Sequence, residues 1–143
     1  IDKRERQATR ATFISCHTKD DIPKVRNALR KTELMVRINP WHAHSADEIH
    51  AAIGGGANLI MLPMITNIAH VTHVLGLLPP EVSLVPLVET AYSVDHLEEI
   101  LVNPRIKEIY VGLNDLHLSL KLEFLFEPLA IGVLDDIARA VHR

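Results

Sequence analysis

The chain has a single cysteine, no hydrophobic run of membrane-spanning length and little excess of charge. Cys16 therefore has no partner for an internal disulfide bond. No apolar stretch reaches the roughly 20 residues that a transmembrane helix needs, and no secretory segment opens the chain. A formal net charge of −3 is too weak to indicate nucleic acid or a membrane surface as a partner. These absences predict a cytoplasmic protein that binds neither.

Short apolar segments rich in β-branched residues alternate with amphipathic segments along the chain. This alternation is typical of repeated βαβ units, whose strands form a parallel sheet. Strands are predicted at Thr12–Ser15, Glu33–Ile38, Asn58–Leu62, Val82–Val88 and Lys107–Val111. Helices are predicted near Asp20–Arg30, Ala46–Ile53, Asn67–Leu77, Val94–Val102 and Leu134–Val141.

Three local patterns mark where helices begin and end. Ser45 followed by Glu48 predicts a capping box, and Ser93 with Asp95 predicts a cap together with a favourable charge in the first turn. The glycines at 54–56 follow a helix and precede a strand, which is the reverse of the order in a phosphate-binding loop. We therefore interpret them as a helix stop.

The length of the chain limits how much of a parallel barrel it holds. A TIM-type (β/α)8 barrel typically needs about 200 to 250 residues, so 143 residues contain about five of its eight units. The first residue is Ile1, and the last predicted helix ends without a turn signal. We expect residues 1–143 to form a single partial barrel domain, truncated or incompletely ordered at both ends.

Polar side chains follow several of the predicted strands. In a parallel barrel the carboxyl ends of all strands meet at one rim, where such enzymes carry out their chemistry. The residues predicted to lie there are Ser15, Cys16, His17, Arg37, Asn39, Pro63, Met64, Glu89, Thr90, Asn114 and Asp115.

Glu89 and Asp115 follow two neighbouring strands of this predicted sheet. Adjacent strands lie about 5 Å apart, so the two carboxylates are close enough to share an ion, and a cation would relieve their repulsion. Oxygen ligands completed by water and substrate suit Mg²⁺ or Mn²⁺ better than zinc. The sequence thus predicts a divalent metal site; the alternative is that each acid caps the helix after it.

Arg37 and His17 are the predicted catalytic residues. Arg37 lies among apolar neighbours, where a charge is costly to bury unless it meets an anion, and its guanidinium would grip a carboxylate or enolate oxygen. A structural ion pair is the alternative. His17 would act as a general base, and its alternative is a capping or surface histidine.

Trp41, His42 and His44 cluster in one short segment. A His-x-His pair can bind transition metals, but no third ligand follows at a matching spacing, so a solvated loop is the favoured interpretation. Trp41 is either a pocket wall or part of the loop packing.

Four segments resemble, in order, the HpcH/HpaI aldolase and citrate lyase beta-subunit family of the phosphoenolpyruvate/pyruvate barrel superfamily. They are Val36-Arg37-Ile38-Asn39, the run from Gly56 to Met64, Pro86-Leu87-Val88-Glu89-Thr90 and Gly112-Leu113-Asn114-Asp115-Leu116. The resemblance spans about Thr12 to Leu129.

The resemblance implies that Glu89 and Asp115 ligate Mg²⁺ or Mn²⁺ and that Arg37 contacts an enolate oxygen. It also makes His17 the candidate base, with Pro63 and Asn114 as further substrate-binding candidates. Leu87 departs from the aldolase branch, which usually has glutamine two residues before the metal-binding glutamate, and so favours the lyase-like branch. The segment after Asp115 also differs from the aldolase pattern, and the strands that close the barrel in this family are absent.

The function predicted on this basis is metal-dependent carbon–carbon lysis of a 4-hydroxy-2-oxo acid through a pyruvate-like enolate. A citrate lyase-like reaction on an acyl-CoA thioester and a non-catalytic barrel subunit acting with a partner remain alternatives. A metal hydrolase built on His42 and His44 would need ligands that the chain does not supply. No lysine ends a predicted strand, which argues against a Schiff-base aldolase. Association of several copies is also expected, with the apolar residues 124–126 forming an interface or packing under a missing strand.

Overall fold

The computed structural model describes residues 17–142, and these form a parallel sheet with helices. Four strands pair in chain order, and every pairing is parallel. The strands are β1 (Met35–Arg37), β2 (Leu59–Leu62), β3 (Ser83–Val88) and β4 (Tyr110–Val111). This arrangement confirms the prediction of an incomplete portion of a (β/α) barrel. The strand predicted at Thr12–Ser15 and Cys16 lie outside the described residues.

One helix precedes β1, and the others connect the strands or follow the last of them. They are α1 (Asp21–Ala28), α2 (Ser45–Gly54), α3 (Ile68–Leu77), α4 (Ala91–Asp95), α5 (Leu97–Leu101), α6 (Leu113–Ser119), α7 (Glu127–Ala130) and α8 (Val133–Val141). The segment predicted as one helix over Val94–Val102 contains instead the end of α4 and all of α5, because the backbone leaves helical geometry at His96 (φ −110°, ψ 22°). Within residues 17–142, no helix combines the length and apolar composition needed to cross a membrane.

The sheet is apolar on both faces, as expected where helices cover one face of a parallel sheet and the other turns inward. The larger core lies between the sheet and the helices and includes Ile60 and Leu84. A smaller cluster of Met61, Val85 and Leu87 lies on the opposite face. We call this second surface the inner face, and it carries the side chains that lead to the rim.

Two predicted caps are wrong, and one predicted helix stop is confirmed. Ser45 is the first residue of α2 rather than its cap, and its hydroxyl oxygen accepts a hydrogen bond from the backbone N–H of His42 at 2.8 Å. At α4 the cap is Thr90, whose side chain and that of Ser93 bond each other's backbone N–H groups. Helix α2 ends at Gly54, and Gly56 then adopts a φ of +96°, which favours glycine.

Candidate active site at the rim of the sheet

Glu89 lies directly after β3 and is almost fully buried, with 4% of its surface exposed. Along β3 alternate residues face the same side, so Glu89 follows Val85 and Leu87 on the inner face. Its Oε1 accepts a hydrogen bond of 2.9 Å from the backbone N–H of Met64. Burying a carboxylate costs free energy unless it is paired or hydrogen-bonded. This hydrogen bond therefore helps to offset the cost of burying Glu89.

The donor comes from the loop after β2, where the backbone is strained. Met64 has a φ of +50°, in the left-handed region that non-glycine residues rarely adopt. It follows Pro63, which is buried. The turn at Pro63 and Met64 therefore directs a backbone N–H toward the carboxylate of Glu89. Strain of this kind clusters at functional sites.

Gly112 closes the other side of the Glu89 carboxylate. A Cβ atom added at Gly112 would lie 2.8 Å from Oε2 of Glu89 and 3.0 Å from its Cβ. Because Gly112, which follows β4, has no side chain, the carboxylate can occupy this space. Two neighbouring strands and the loop after β2 together determine where Glu89 lies.

Asp115 is one helical turn away from this contact. Asn114 and Asp115 follow β4, which ends at Val111 as predicted, but both lie in the first turn of α6, a helix that was not predicted there. Asp115 is three residues after Gly112, and residues three apart on a helix are neighbours, about 5–6 Å apart. Its side chain is half-buried, whereas Asn114 is exposed. Asp115 therefore lies one turn beyond Gly112, the residue that contacts Glu89.

The alternative that each acid caps the helix after it is not supported for Glu89. Thr90, not Glu89, caps α4, and Gly112 precedes α6 without any side-chain cap. Asp115 is inside α6, where its charge is favourable to the helix dipole. The position of Glu89 in particular has no explanation as a helix cap.

Arg37 ends β1 on the inner face. It pairs in register with Met61 of β2, which in turn pairs with Val85 of β3. The burial assumed for Arg37 is wrong, because the residue is exposed. Within residues 17–142, no carboxylate forms a salt bridge with it. The alternative of a structural ion pair therefore finds no support among the described residues, and the guanidinium faces an open side of the sheet.

His17 is the first described residue, ahead of α1, and it is exposed. The strand predicted before it lies outside the described residues, so its role as a base stays a prediction.

His42, by contrast, is not in a solvated position. Its side chain is 9% exposed, and its Nδ1 accepts a 3.0 Å hydrogen bond from the backbone N–H of His44.

This bond makes Nδ1 of His42 unavailable to a metal, while Nε2 is buried 3.4 Å from Oε2 of Glu48 without a hydrogen bond. His44 is exposed, as the loop interpretation predicted. Trp41 packs against the rings of His70 and His73 on α3, with centroids 6.4 and 5.1 Å away, which favours packing over a pocket wall.

Among the described residues, the oxygen donors at the rim suit Mg²⁺ or Mn²⁺. Glu89 and Asp115 would supply carboxylate oxygens, and the contact with Gly112 gives the Glu89 carboxylate a fixed place. No group of three or more His, Cys, Asp and Glu side chains able to hold an ion occurs in the described part of the chain. An ion here would thus take its other ligands from water and substrate, which suits these metals.

Two contributors to the site were not predicted as such. Met64 contributes a backbone N–H and Gly112 contributes the absence of a side chain. A search of the sequence for reactive side chains detects neither. The glycine pattern gives no signal at Gly112, because its φ of −99° is open to any residue. Only the contact with Glu89 reveals its role.

The chain is similar in sequence to known proteins. A family model described as HpcH/HpaI aldolase/citrate lyase matches residues 17–125. The chain is 31% identical over 98 residues to a (3S)-malyl-CoA thioesterase of Cereibacter sphaeroides, covering 68% of this chain and 34% of that protein.

Solved structures show the same fold. The citrate lyase beta subunit from M. tuberculosis, complexed with oxaloacetate and magnesium, has a TM-score of 0.60 and 28% identity, covering 87% of this chain and 60% of that one. The citrate synthase SbnG has a TM-score of 0.75 with 17% identity, covering 92% of this chain and 62% of that one, and shows the fold alone.

The chain spans about a third of the thioesterase and about three-fifths of these solved chains. The matched segment contains Arg37, Glu89 and Asp115 and covers most of the sequence. The chain therefore belongs to the HpcH/HpaI aldolase/citrate lyase family.

Proposed function

We propose that the protein is a metal-dependent carbon–carbon lyase that cleaves a 4-hydroxy-2-oxo acid, or a related substrate, through a pyruvate-like enolate. The observation that carries the proposal is the buried Glu89 carboxylate, held by the N–H of Met64 and lying against Gly112, with Asp115 one helical turn further on. A protein that served only as a scaffold has no physical need for a buried acid placed in this way at the rim.

Glu89 and Asp115 would hold the cation, Mg²⁺ or Mn²⁺. When bound, it would supply Lewis acidity to the substrate's carboxylate and carbonyl oxygens. The magnesium in the related M. tuberculosis beta subunit supports this assignment. The hydrogen bond from Met64 and the contact with Gly112 hold the Glu89 carboxylate in place.

Arg37 would bind the anionic end of the substrate. Its exposed guanidinium is free of carboxylate salt bridges within residues 17–142, and it lies on the inner face in register with Met61. As the carbon–carbon bond breaks, charge builds on the enolate oxygen, and the guanidinium would stabilise that charge more than it stabilises the substrate. Pro63 would form a wall of the site, and the exposed amide of Asn114 would donate a hydrogen bond to substrate.

Cleavage also requires a base for the hydroxyl proton at the distal carbon. We assign this to an imidazole nitrogen of His17 or to a water molecule. The proton leaves the hydroxyl oxygen as its carbonyl forms and the carbon–carbon bond breaks, and the electron pair of that bond passes to the enolate. No lysine ends a strand within residues 17–142, so a Schiff base with substrate is not part of the proposal.

A hydroxyacyl-CoA thioester is the second candidate substrate, and Leu87 favours it. Leu87 is buried on the inner face two residues before Glu89, where the aldolase-like pattern has glutamine. An apolar residue there removes a polar contact to substrate. The similarity to a malyl-CoA thioesterase and to a citrate lyase beta subunit points the same way.

We also propose that the barrel is one subunit of an assembly, formed either with other copies of itself or with a partner that carries part of the reaction. Phe124 and Phe126 offer a surface for this, since they are 58% and 49% exposed and pack edge to face.

Turnover by the full-length protein tests the proposal. Pyruvate release from several 4-hydroxy-2-oxo acids, and aldehyde or oxo-acid release from 3-hydroxyacyl-CoA thioesters, would be measured with Mg²⁺, with Mn²⁺ and with chelator. We expect release from one of the two classes, lost with chelator and restored by added cation. Absence of release from both classes by a folded protein with bound cation would contradict the lyase assignment and leave the non-catalytic alternative.

A further inference from the structure

Gly112 and Glu89 are in direct contact across the pair formed by β3 and β4. We propose that Gly112 is a positioning residue for Glu89, because its missing side chain reserves the space in which Oε2 lies and so directs the carboxylate to the cation. This inference rests on the proposed metal-dependent function.

The contact is too close to accept a side chain. A Cβ at position 112 would lie 2.8 Å from Oε2 of Glu89, 3.0 Å from Cβ of Glu89 and 3.3 Å from Cδ1 of Leu87. Cβ contacts below 3.0 Å essentially never occur in proteins, so one of the partners would have to move. The closest partner, Oε2, is the far end of a side chain and therefore the group that yields most easily.

The main chain at Gly112 is not free to retreat instead. Its N–H donates a 3.0 Å hydrogen bond to the carbonyl oxygen of Val88, and its own carbonyl oxygen accepts one of 3.0 Å from Leu116. These bonds join Gly112 to β3 on one side and to α6 on the other. A side chain added here would therefore displace the carboxylate of Glu89 and leave the backbone in place.

Backbone conformation does not explain the glycine. With φ −99° and ψ 89°, position 112 lies on the side of φ that all residues adopt, so alanine would meet no strain there. Space for the Glu89 carboxylate is the remaining reason for glycine. Gly112 thus differs from Gly56, where a φ of +96° by itself favours glycine.

The opposite side of the carboxylate is also fixed. The N–H of Met64 holds Oε1 at 2.9 Å, so a displaced Glu89 would break that bond or swing about it. Either movement changes the direction in which Oε2 points. Residues that orient metal ligands typically contribute about 10- to 100-fold to metal affinity.

Cation affinity of the full-length protein tests the inference directly. The dissociation constant for Mn²⁺ would be measured by electron paramagnetic resonance and calorimetry for wild type, Gly112→Ala and the control Gly76→Ala. Gly76 lies in α3, and a Cβ there meets nothing within 4 Å. We expect Gly112→Ala to raise the dissociation constant at least about tenfold, with Gly76→Ala within about twofold of wild type.

Three outcomes are distinguishable. Wild-type affinity in Gly112→Ala would overturn the inference and leave the proposed function intact, whereas a wild-type protein that binds no divalent cation would overturn both. If Gly112→Ala fails to fold, the folding of the double variant Glu89→Ala/Gly112→Ala is measured instead. Recovery of folding would support the inference because the carboxylate that competes for the space is gone, and an equally unfolded double variant would overturn it.

Discussion

Asn39 donates two hydrogen bonds to the carboxylate of Glu48, one from its backbone N–H at 3.1 Å and one from Nδ2 at 2.8 Å. The carboxylate ties Asn39, two residues after the end of β1, to the first turn of α2. His42 lies behind it, with Nε2 3.4 Å from Oε2 of Glu48. This network fixes the chain two residues beyond Arg37.

We expect Glu48→Gln to lower the free energy of unfolding by about 1–2 kcal/mol, because an amide accepts through only one of its two terminal atoms and loses the charge that strengthens both bonds. Urea denaturation of Glu48→Gln and of Asp47→Asn checks this. Asp47 is an exposed neighbour on the same helix and serves as the control. Equal midpoints for the two variants would show that the Asn39 contacts are not stabilising.

Arg105 stabilises the C-terminal end of α3. Its guanidinium donates to the carbonyl oxygens of Leu75, Leu78 and Pro79 at 2.8, 2.9 and 3.0 Å. These carbonyl groups lie at a helix end, where they lack partners within the helix and attract positive charge.

We expect Arg105→Ala to lower the free energy of unfolding by about 2 kcal/mol and Arg105→Lys to recover less than half of that, since an ammonium group cannot reproduce the fork of donors. Arg30→Ala, at an exposed position, is the control. Chemical denaturation measures all three variants. Full recovery by lysine would mean that charge alone, not the hydrogen-bond geometry, stabilises this helix end.

His70 should make stability sensitive to mildly acidic pH. Burial lowers the pKa of its imidazole, and the neighbouring His73 lowers that pKa further. The folded state therefore favours the neutral ring, while the unfolded chain binds a proton near pH 6.5. It follows that this contribution to stability is present above about pH 6.5 and decreases as the pH falls below it.

An NMR titration of the imidazole protons checks the sign. We expect His70 to titrate below its ordinary range in wild type and His73→Gln to move the pKa of His70 only part of the way back, because burial is the larger cause. His50→Gln, on the exposed side of α2, is the control. Complete restoration in His73→Gln would contradict burial as the main cause.

The parallel sheet was predictable because its strands are short, branched and apolar. The prediction of Val82–Val88 differs by one residue from the observed β3, where nearly every position is buried. The strand predicted at Lys107–Val111 is observed only as the two residues of β4, because Lys107 and Glu108 are exposed and do not pair with a neighbouring strand. Helix α6 was missed, since it begins immediately after a strand at a glycine and without a capping side chain.

The site was predictable only in part. The placement of Glu89 follows from its position at the end of a buried strand, which is a property of the local sequence. Burial of Arg37 was expected from its apolar neighbours, but those neighbours alternate between two faces and Arg37 lies on the open one. The contacts that fix Glu89 come from Met64 and Gly112, 25 and 23 residues away in sequence, and only the folded chain brings them together.

The most direct test of the metal site is the dissociation constant of Mn²⁺ for the full-length protein beside its Glu89→Gln, Asp115→Asn and Glu81→Gln variants. Each substitution removes one charge at nearly constant size, and Glu81 is an exposed control away from the rim. The account predicts binding by wild type and Glu81→Gln, and affinity lowered by about 100-fold or more in the other two, since each loses a charged ligand. Wild-type affinity in both Glu89→Gln and Asp115→Asn would contradict it.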